Sequence, residues 1–155
     1  MTPKTKAAFF DRDGTIIVDK GYTYRPEDLE FIQGVPELIH RYNQEGYLVI
    51  IVTNQSGIAR GLYTENDMHC FHAEMRRQLL ENYDARIDAI YYCPHHELFT
   101  GPCECRKPKP GLIMEAARDY NIDLARSLFL GDAECDKEAA MNAGISNFRF
   151  ISTSK

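Results

Sequence analysis

Two aspartates one residue apart, Asp11 and Asp13, close an apolar stretch in the run "AAFFDRDGT" at residues 7–15. Carboxylates resist burial unless they are paired, hydrogen-bonded or bound to metal. Two of them at the exit of an apolar run therefore mark a polar turn or a reaction centre. Asp-Gly alone is an ordinary turn signal. Asp-x-Asp-Gly-Thr is rarer, arising by chance on the order of once per thousand chains of this length. The chemistry that fits is phosphoryl transfer through a covalent aspartyl phosphate. Asp11 would attack phosphorus as a carboxylate nucleophile. Asp13 would protonate the leaving alkoxide and later activate water, and Gly14 would allow the tight backbone that brings it round.

Other polar residues complete that chemistry. Asp132, with the Asp11 carboxylate and the Asp13 carbonyl, gives a hard-oxygen site suited to Mg²⁺. Such a metal lets a carboxylate and a phosphate approach one another. Asp136, one helical turn later, would support these ligands from behind. Thr53 and neighbouring amides would donate to phosphoryl oxygens, and Lys107 would bring positive charge to the transition state. A second constellation is "CPHHELFTGPCEC", in which Cys93, His95, Cys103 and Cys105 give Cys-x-His-x₇-Cys-x-Cys. Three thiolates and an imidazole suit a closed, structural Zn²⁺ site, with His96 as an alternative to His95. The plain alternative is reduced cysteines and surface histidines. Metal would pin the loop and so aim the next two residues, Arg106 and Lys107.

The elements that must position these groups alternate along the chain. Stretches 6–10, 47–52, 89–93, 127–131 and 148–151 read as strands, mostly continuous apolar runs as in a parallel sheet covered on both faces. Gly34 and Pro36 open a first helix with Val35, Leu38, Ile39 and Tyr42 on one face, closed by Gly46. "TEND" at 64–67 has capping-box spacing and starts a helix whose Met68, Phe71, His72, Met75 and Leu79 recur at helical period. Pro110 starts a third, with Ile113, Ala116, Ala117 and Tyr120 inward, and a fourth spans 134–143 before Gly144. His40, His69 and His72 read as packed or solvent-facing helix residues, and Cys70 and Cys135 as ordinary small helix residues. This alternation predicts one α/β domain over 1–155 with right-handed crossovers and a doubly wound parallel sheet. Asp11, Thr53 and Asp132 end strands, and Lys107 lies beyond a fourth. The carboxyl edge of such a sheet is where ligands bind.

"FFDRDGT", "VTNQSGIARG", "CRKPKPG" and "GD" followed by Asp136 resemble the four motifs of the haloacid dehalogenase (HAD) superfamily of phosphatases, over about residues 6–151. The wording is similar to the branch that holds the heptose bisphosphate phosphatases and the histidinol-phosphate phosphatases. The resemblance implies a Rossmann-like HAD fold without a cap domain and with a zinc-binding loop. Residues 12–33 would supply only a short flap over an open site. It implies Asp11 as nucleophile, Asp13 as general acid/base, Thr53 and Lys107 on the phosphoryl group, Asp132 on Mg²⁺ and His95 as the zinc histidine. It also implies substrate contacts from Asp19, Lys20, Gly21 and Tyr22, from Thr53, Asn54, Gln55 and Ser56, and from Arg106 and Lys107. The expected reaction is removal of the 7-phosphate of D-glycero-D-manno-heptose 1,7-bisphosphate, with histidinol phosphate as the alternative substrate. Ala133 stands where the heptose branch carries lysine, which shifts recognition toward Arg106.

Composition narrows the partners. With 155 residues and a formal charge of −5, the chain suits neither nucleic acid nor an anionic membrane as its main partner. Among DNA-directed readings, a 3′-phosphatase lacks the Lys/Arg stripe it would need. A non-catalytic zinc-stabilised module is disfavoured by the presence of both Asp11 and Asp13. No apolar run approaches the ~20 residues of a membrane helix. The expectation is a cytoplasmic monomer acting on a small phosphorylated sugar.

Overall fold

In a computed structural model, which describes residues 3–151, the chain forms one five-stranded parallel sheet in the order β3-β2-β1-β4-β5. The strands are β1 (Ala7–Phe10), β2 (Leu48–Asn54), β3 (Ala89–Cys93), β4 (Leu128–Gly131) and β5 (Asn147–Phe150). Register is set by Ala7 opposite Leu48 on one flank of β1 and Ala8 opposite Leu128 on the other. The order reverses at β1, so the crevice at its carboxyl end is the switch point of the winding.

Alternation within the strands splits the core into two layers. Ala8, Phe10, Val49, Ile51, Leu128 and Leu130 face α1 (Val35–Gln44) and α2 (Glu65–Tyr83). Ala7, Phe9, Ile50, Val52 and Phe129 face α4 (Gly111–Tyr120) and α5 (Glu134–Ala143), with α3 (Glu97–Thr100) a short turn in the cysteine-rich loop. Because period-2 side chains point to opposite faces, a continuously apolar strand is what such a double-sided sheet requires. That holds best for β1, β2 and β4. The edge strand β5 carries Phe150 at 54% exposure.

Helix starts follow local chemistry. Thr64 and Asp67 form the capping box of α2, with reciprocal bonds of 3.0 Å each. Met68, Phe71, His72, Met75 and Leu79 are all buried, as their spacing predicts. In α4 the inward set is Leu112, Ile113 and Ala116. Tyr120, expected inward, is the last residue of that helix and is 39% exposed. The flap expected over 12–33 holds a single 3-10 turn at Pro26–Asp28 and lone bridges from Ile17 to Asp13 and Phe31.

Candidate active site

The polar strand ends converge at the switch point. Asp11 follows β1, and its amide donates to Leu130 O of β4 at 3.1 Å. Asp11 and Lys107 are nearly sealed, at 9% and 4% exposure. Lys107 Nζ donates to Asp11 Oδ1 at 2.8 Å, to Asp136 Oδ1 at 2.6 Å and to Val52 O at 2.9 Å. An ammonium has three hydrogens, so this set is complete. Burial opposes the charge of Lys107, but Asp11 and Asp136 outweigh it and hold its pKa above the ordinary value. Burial pushes the Asp11 carboxyl upward; Lys107 opposes that, while Asp136 and Asp13 add to it. The backbone of Lys107 is braced by the Asn54 amide, which accepts from its N–H at 3.0 Å and donates to its carbonyl at 3.3 Å.

Asp11, Asp132 and Asp136 each offer an oxygen within 4.8 Å of the others. Three carboxylates around one ammonium leave an excess of negative charge in a hard-oxygen donor set, which fits a divalent cation of the Mg²⁺ type. Asp136 is already committed. Its Oδ1 takes Lys107, and its Oδ2 accepts from the Asp132 and Ala133 amides at 3.2 Å each, capping α5. The carboxylates left for a metal are those of Asp11 and Asp132. Close approach of the first loop to Asp132 depends on Gly14, at φ +84°, where a β-carbon would collide with the Asp132 carboxylate.

Asp13 is gripped from both ends. Arg12 Nη2 and Nε donate to its Oδ1 at 2.8 and 3.2 Å, and Gln55 Nε2 donates to Oδ2 at 3.0 Å. Arg12 is itself 1% exposed. It bonds Thr23 O at 2.8 Å, lies 4.8 Å from the Phe71 ring centroid, and meets His72 Nε2 at 3.1 Å. An arginine has only donors, so that imidazole nitrogen accepts and His72 is neutral. Burial and then the Arg12 charge lower the His72 pKa to about 3.

A cavity of about 310 Å³ opens beside these groups, toward the small end of ligand pockets. Of the sequence-expected contacts, Asp19, Gly21, Tyr22, Asn54, Gln55, Ser56, Arg106 and Lys107 line it together with Asp11 and Asp13. Lys20 does not, because its ammonium pairs with Glu30 at 3.2 Å. Thr53 sits just behind, fully buried, with Oγ1 accepting from Gln55 Nε2 at 3.0 Å. Arg106 has a buried Nη1 with no protein partner, and Ala133 adds no charge to the wall. Arg60 lies 5.7 Å from the Tyr22 ring and 5.2 Å from the Phe99 ring, joining the first loop to the cysteine-rich loop. Arg12, Tyr63 and Cys135 also line the cavity. Sequence reasoning missed their proximity; for Arg12 the place between the two acids was a signal, while Tyr63 and Cys135 had none.

Cys93, His95, Cys103 and Cys105 gather as expected. The Sγ atoms of Cys93 and Cys103 are 3.6 Å apart, and those of Cys103 and Cys105 3.7 Å. His95 Nδ1 is 3.7 Å from Cys93 Sγ and 3.4 Å from Cys105 Sγ. A tetrahedron with Zn–S and Zn–N bonds of ordinary length has edges of about 3.8 and 3.6 Å, so the donor set fits zinc. His96 is engaged elsewhere, its Nδ1 accepting from the Leu98 amide at 3.2 Å.

Residues 6–150 match the family model described as polynucleotide kinase 3 phosphatase. The chain is 43% identical over 152 residues to D-glycero-alpha-D-manno-heptose-1,7-bisphosphate 7-phosphatase of Campylobacter jejuni, covering 98% of this chain and 86% of the relative. It is 42% identical over 161 residues to D-glycero-beta-D-manno-heptose-1,7-bisphosphate 7-phosphatase of Escherichia coli K12, covering 100% and 83%. Among solved structures it is similar to a HAD-like phosphatase from Mesorhizobium loti, with TM-score 0.90, 35% identity and coverage of 95% and 72%. It is also similar to the D,D-heptose 1,7-bisphosphate phosphatase of B. bronchiseptica complexed with magnesium and phosphate, with TM-score 0.84, 36% identity and coverage of 92% and 78%.

Proposed function

The chain belongs to the heptose-bisphosphate phosphatase family of HAD enzymes, and on that premise we propose that it removes the 7-phosphate of D-glycero-D-manno-heptose 1,7-bisphosphate through a phosphoaspartate on Asp11. It is a phosphoric monoester hydrolase. The observation that carries the residue assignment is the sealed Asp11 carboxylate at the end of β1, 2.8 Å from Lys107 Nζ and clustered with Asp132. The two relatives act, by name, on opposite anomers, so the reading commits to the 7-phosphate and not to the anomer.

Asp11 Oδ forms a bond to phosphorus as the bond from phosphorus to the leaving sugar oxygen breaks. Asp13, protonated at that moment, gives its proton to the departing alkoxide. Asp13 then takes a proton from water as the water oxygen bonds phosphorus and the bond to Asp11 breaks, which frees phosphate and restores both acids. Lys107, held on Asp11 and Asp136, supplies positive charge beside the phosphoryl group, and the Thr53 hydroxyl would orient its oxygens. Asp11, Asp132 and the Asp13 carbonyl would hold Mg²⁺, which supplies charge neutralisation between carboxylate and phosphate. The neighbour with magnesium and phosphate bound supports that choice of metal. Zn²⁺ on Cys93, His95, Cys103 and Cys105 would serve only to hold the loop that carries Arg106 and Lys107. Asp19, Gly21, Tyr22, Asn54, Gln55, Ser56 and Arg106 would bind the substrate, with Lys20 contributing backbone.

The reading extends to a cytoplasmic monomer acting on a small sugar phosphate. The charge of −5 supports a partner other than nucleic acid, and among the described residues no helix is long and apolar enough to cross a membrane. The test is Asp11→Asn, which keeps shape and removes the nucleophile. Phosphate release should fall at least a thousand-fold, on the order of what loss of a covalent nucleophile costs. Turnover near the wild-type rate would end the phosphoaspartate reading.

A further inference from the structure

A buried phenol stands behind Asp13 with no part in the reaction as described. Tyr63 is 6% exposed, lines the cavity and donates its hydroxyl to Gln55 Oε1. Its ring is clamped. Tyr24 stacks on it with centroids 5.0 Å apart and planes 16° from parallel. A β-carbon on Gly57 would run into the ring, so glycine makes the space. Burial pushes the Tyr63 phenol up to about 12, which keeps its hydroxyl a donor at neutral pH.

Gln55 is 2% exposed and spans from Tyr63 to the reacting groups. Its Nε2 donates both to Asp13 Oδ2 and to Thr53 Oγ1, each at 3.0 Å. A carboxamide has one donor end and one acceptor end. The flipped amide would set its carbonyl against the Asp13 carboxylate, and the Tyr63 hydroxyl closes off that choice by claiming Oε1. Two consequences reach the site. Asp13 Oδ2 is held by Gln55 while Arg12 holds Oδ1, so the carboxylate plane is fixed. Thr53 Oγ1 accepts from Gln55 at 3.0 Å and donates to the Asn54 carbonyl at 3.5 Å, so the same amide fixes the direction of that hydroxyl.

We infer that Tyr63 is a positioning residue that acts through Gln55 to orient the Asp13 carboxylate for proton transfer to the leaving oxygen. The inference rests on the reading of Asp13 as general acid and base, and its test separates the two.

Tyr63→Phe removes the hydroxyl and keeps the clamped ring. First-turnover rates are measured with the heptose bisphosphate and phenyl phosphate, whose leaving groups need a proton, and with p-nitrophenyl phosphate, whose leaving group departs as the anion. Loss of one hydrogen bond should slow the first two by about three- to ten-fold, with KM and the p-nitrophenyl phosphate rate held within about twofold. Adding Tyr63→Phe to Gln55→Ala should cost little more than Gln55→Ala alone, since both remove one linkage. Equal losses on all three substrates, a change confined to KM, or additive double-variant losses would overturn the inference. Asp13→Asn is the companion. If it shows the leaving-group dependence and Tyr63→Phe does not, only the role of Tyr63 falls. If Asp13→Asn shows no such dependence, the general-acid reading falls first.

Discussion

Protonating His72 should destabilise the fold by a calculable amount. This imidazole is 5% exposed and accepts from Arg12 Nη1 at 3.1 Å, and its folded pKa is lowered from 6.5 to about 3. Between those values the unfolded chain binds a proton that the folded chain refuses, so stability rises with pH through this window. The contribution is whole above about pH 6.5 and is lost progressively as pH falls toward 3. At pH 5 the linkage relation gives a loss of about 2 kcal/mol, and at pH 6 a loss of about 0.8 kcal/mol. His72→Gln keeps an acceptor for Arg12 and removes the titration. Wild type and variant are compared by urea unfolding at pH 7, 6 and 5, followed by far-UV circular dichroism at constant ionic strength. Carboxylate and thiolate titrations are common to both proteins and cancel in the difference. The wild type should lose about 2 kcal/mol relative to the variant between pH 7 and pH 5. A stability gap independent of pH would show that His72 titrates alike in the folded and unfolded chain, and a gap of opposite sign that it is charged in the fold; either result would make the account of its burial against Arg12 wrong.

Arg106→Ala should lower kcat/KM for the heptose bisphosphate by about ten- to a hundred-fold, the cost of one charged hydrogen bond, and barely affect p-nitrophenyl phosphate; equal damage to both would place Arg106 on the reacting phosphoryl group instead. Elemental analysis of protein purified without added metal should find about one zinc per chain. Cys103→Ser should lose that zinc and lower activity while Asp11 is untouched, and full activity in a zinc-free variant would remove the loop-holding role.

The strands and helices were legible because each carries a local cause. Continuous apolar runs ended in polar residues at the sheet edge, and Thr64 with Asp67 announced α2 before any tertiary contact was known. The metal-type clusters were legible too, since their residue types have few other reasons to recur at such spacing. Tyr120 misled because a helical stripe does not say where the covering core stops. Lys20 enters the site by resemblance alone, and the pairing of its ammonium with Glu30 is a contact that no local pattern encodes. Tyr63 and His72 reach the site through Gln55 and Arg12, and such relays are long-range hydrogen bonds that no local pattern encodes. Asp136 was expected to back the metal ligands; its bond to Lys107, 29 residues away, gives it a second task as the counter-charge of that lysine.

The central claim is tested most directly by following D-glycero-D-manno-heptose 1,7-bisphosphate, as each anomer, by ³¹P nuclear magnetic resonance during turnover with Mg²⁺. The account predicts that the 7-phosphate signal of at least one anomer is replaced by inorganic phosphate while its 1-phosphate signal persists, and that Asp11→Asn leaves both signals unchanged. Loss of the 1-phosphate, or inert heptose bisphosphates beside rapid hydrolysis of histidinol phosphate, would contradict it.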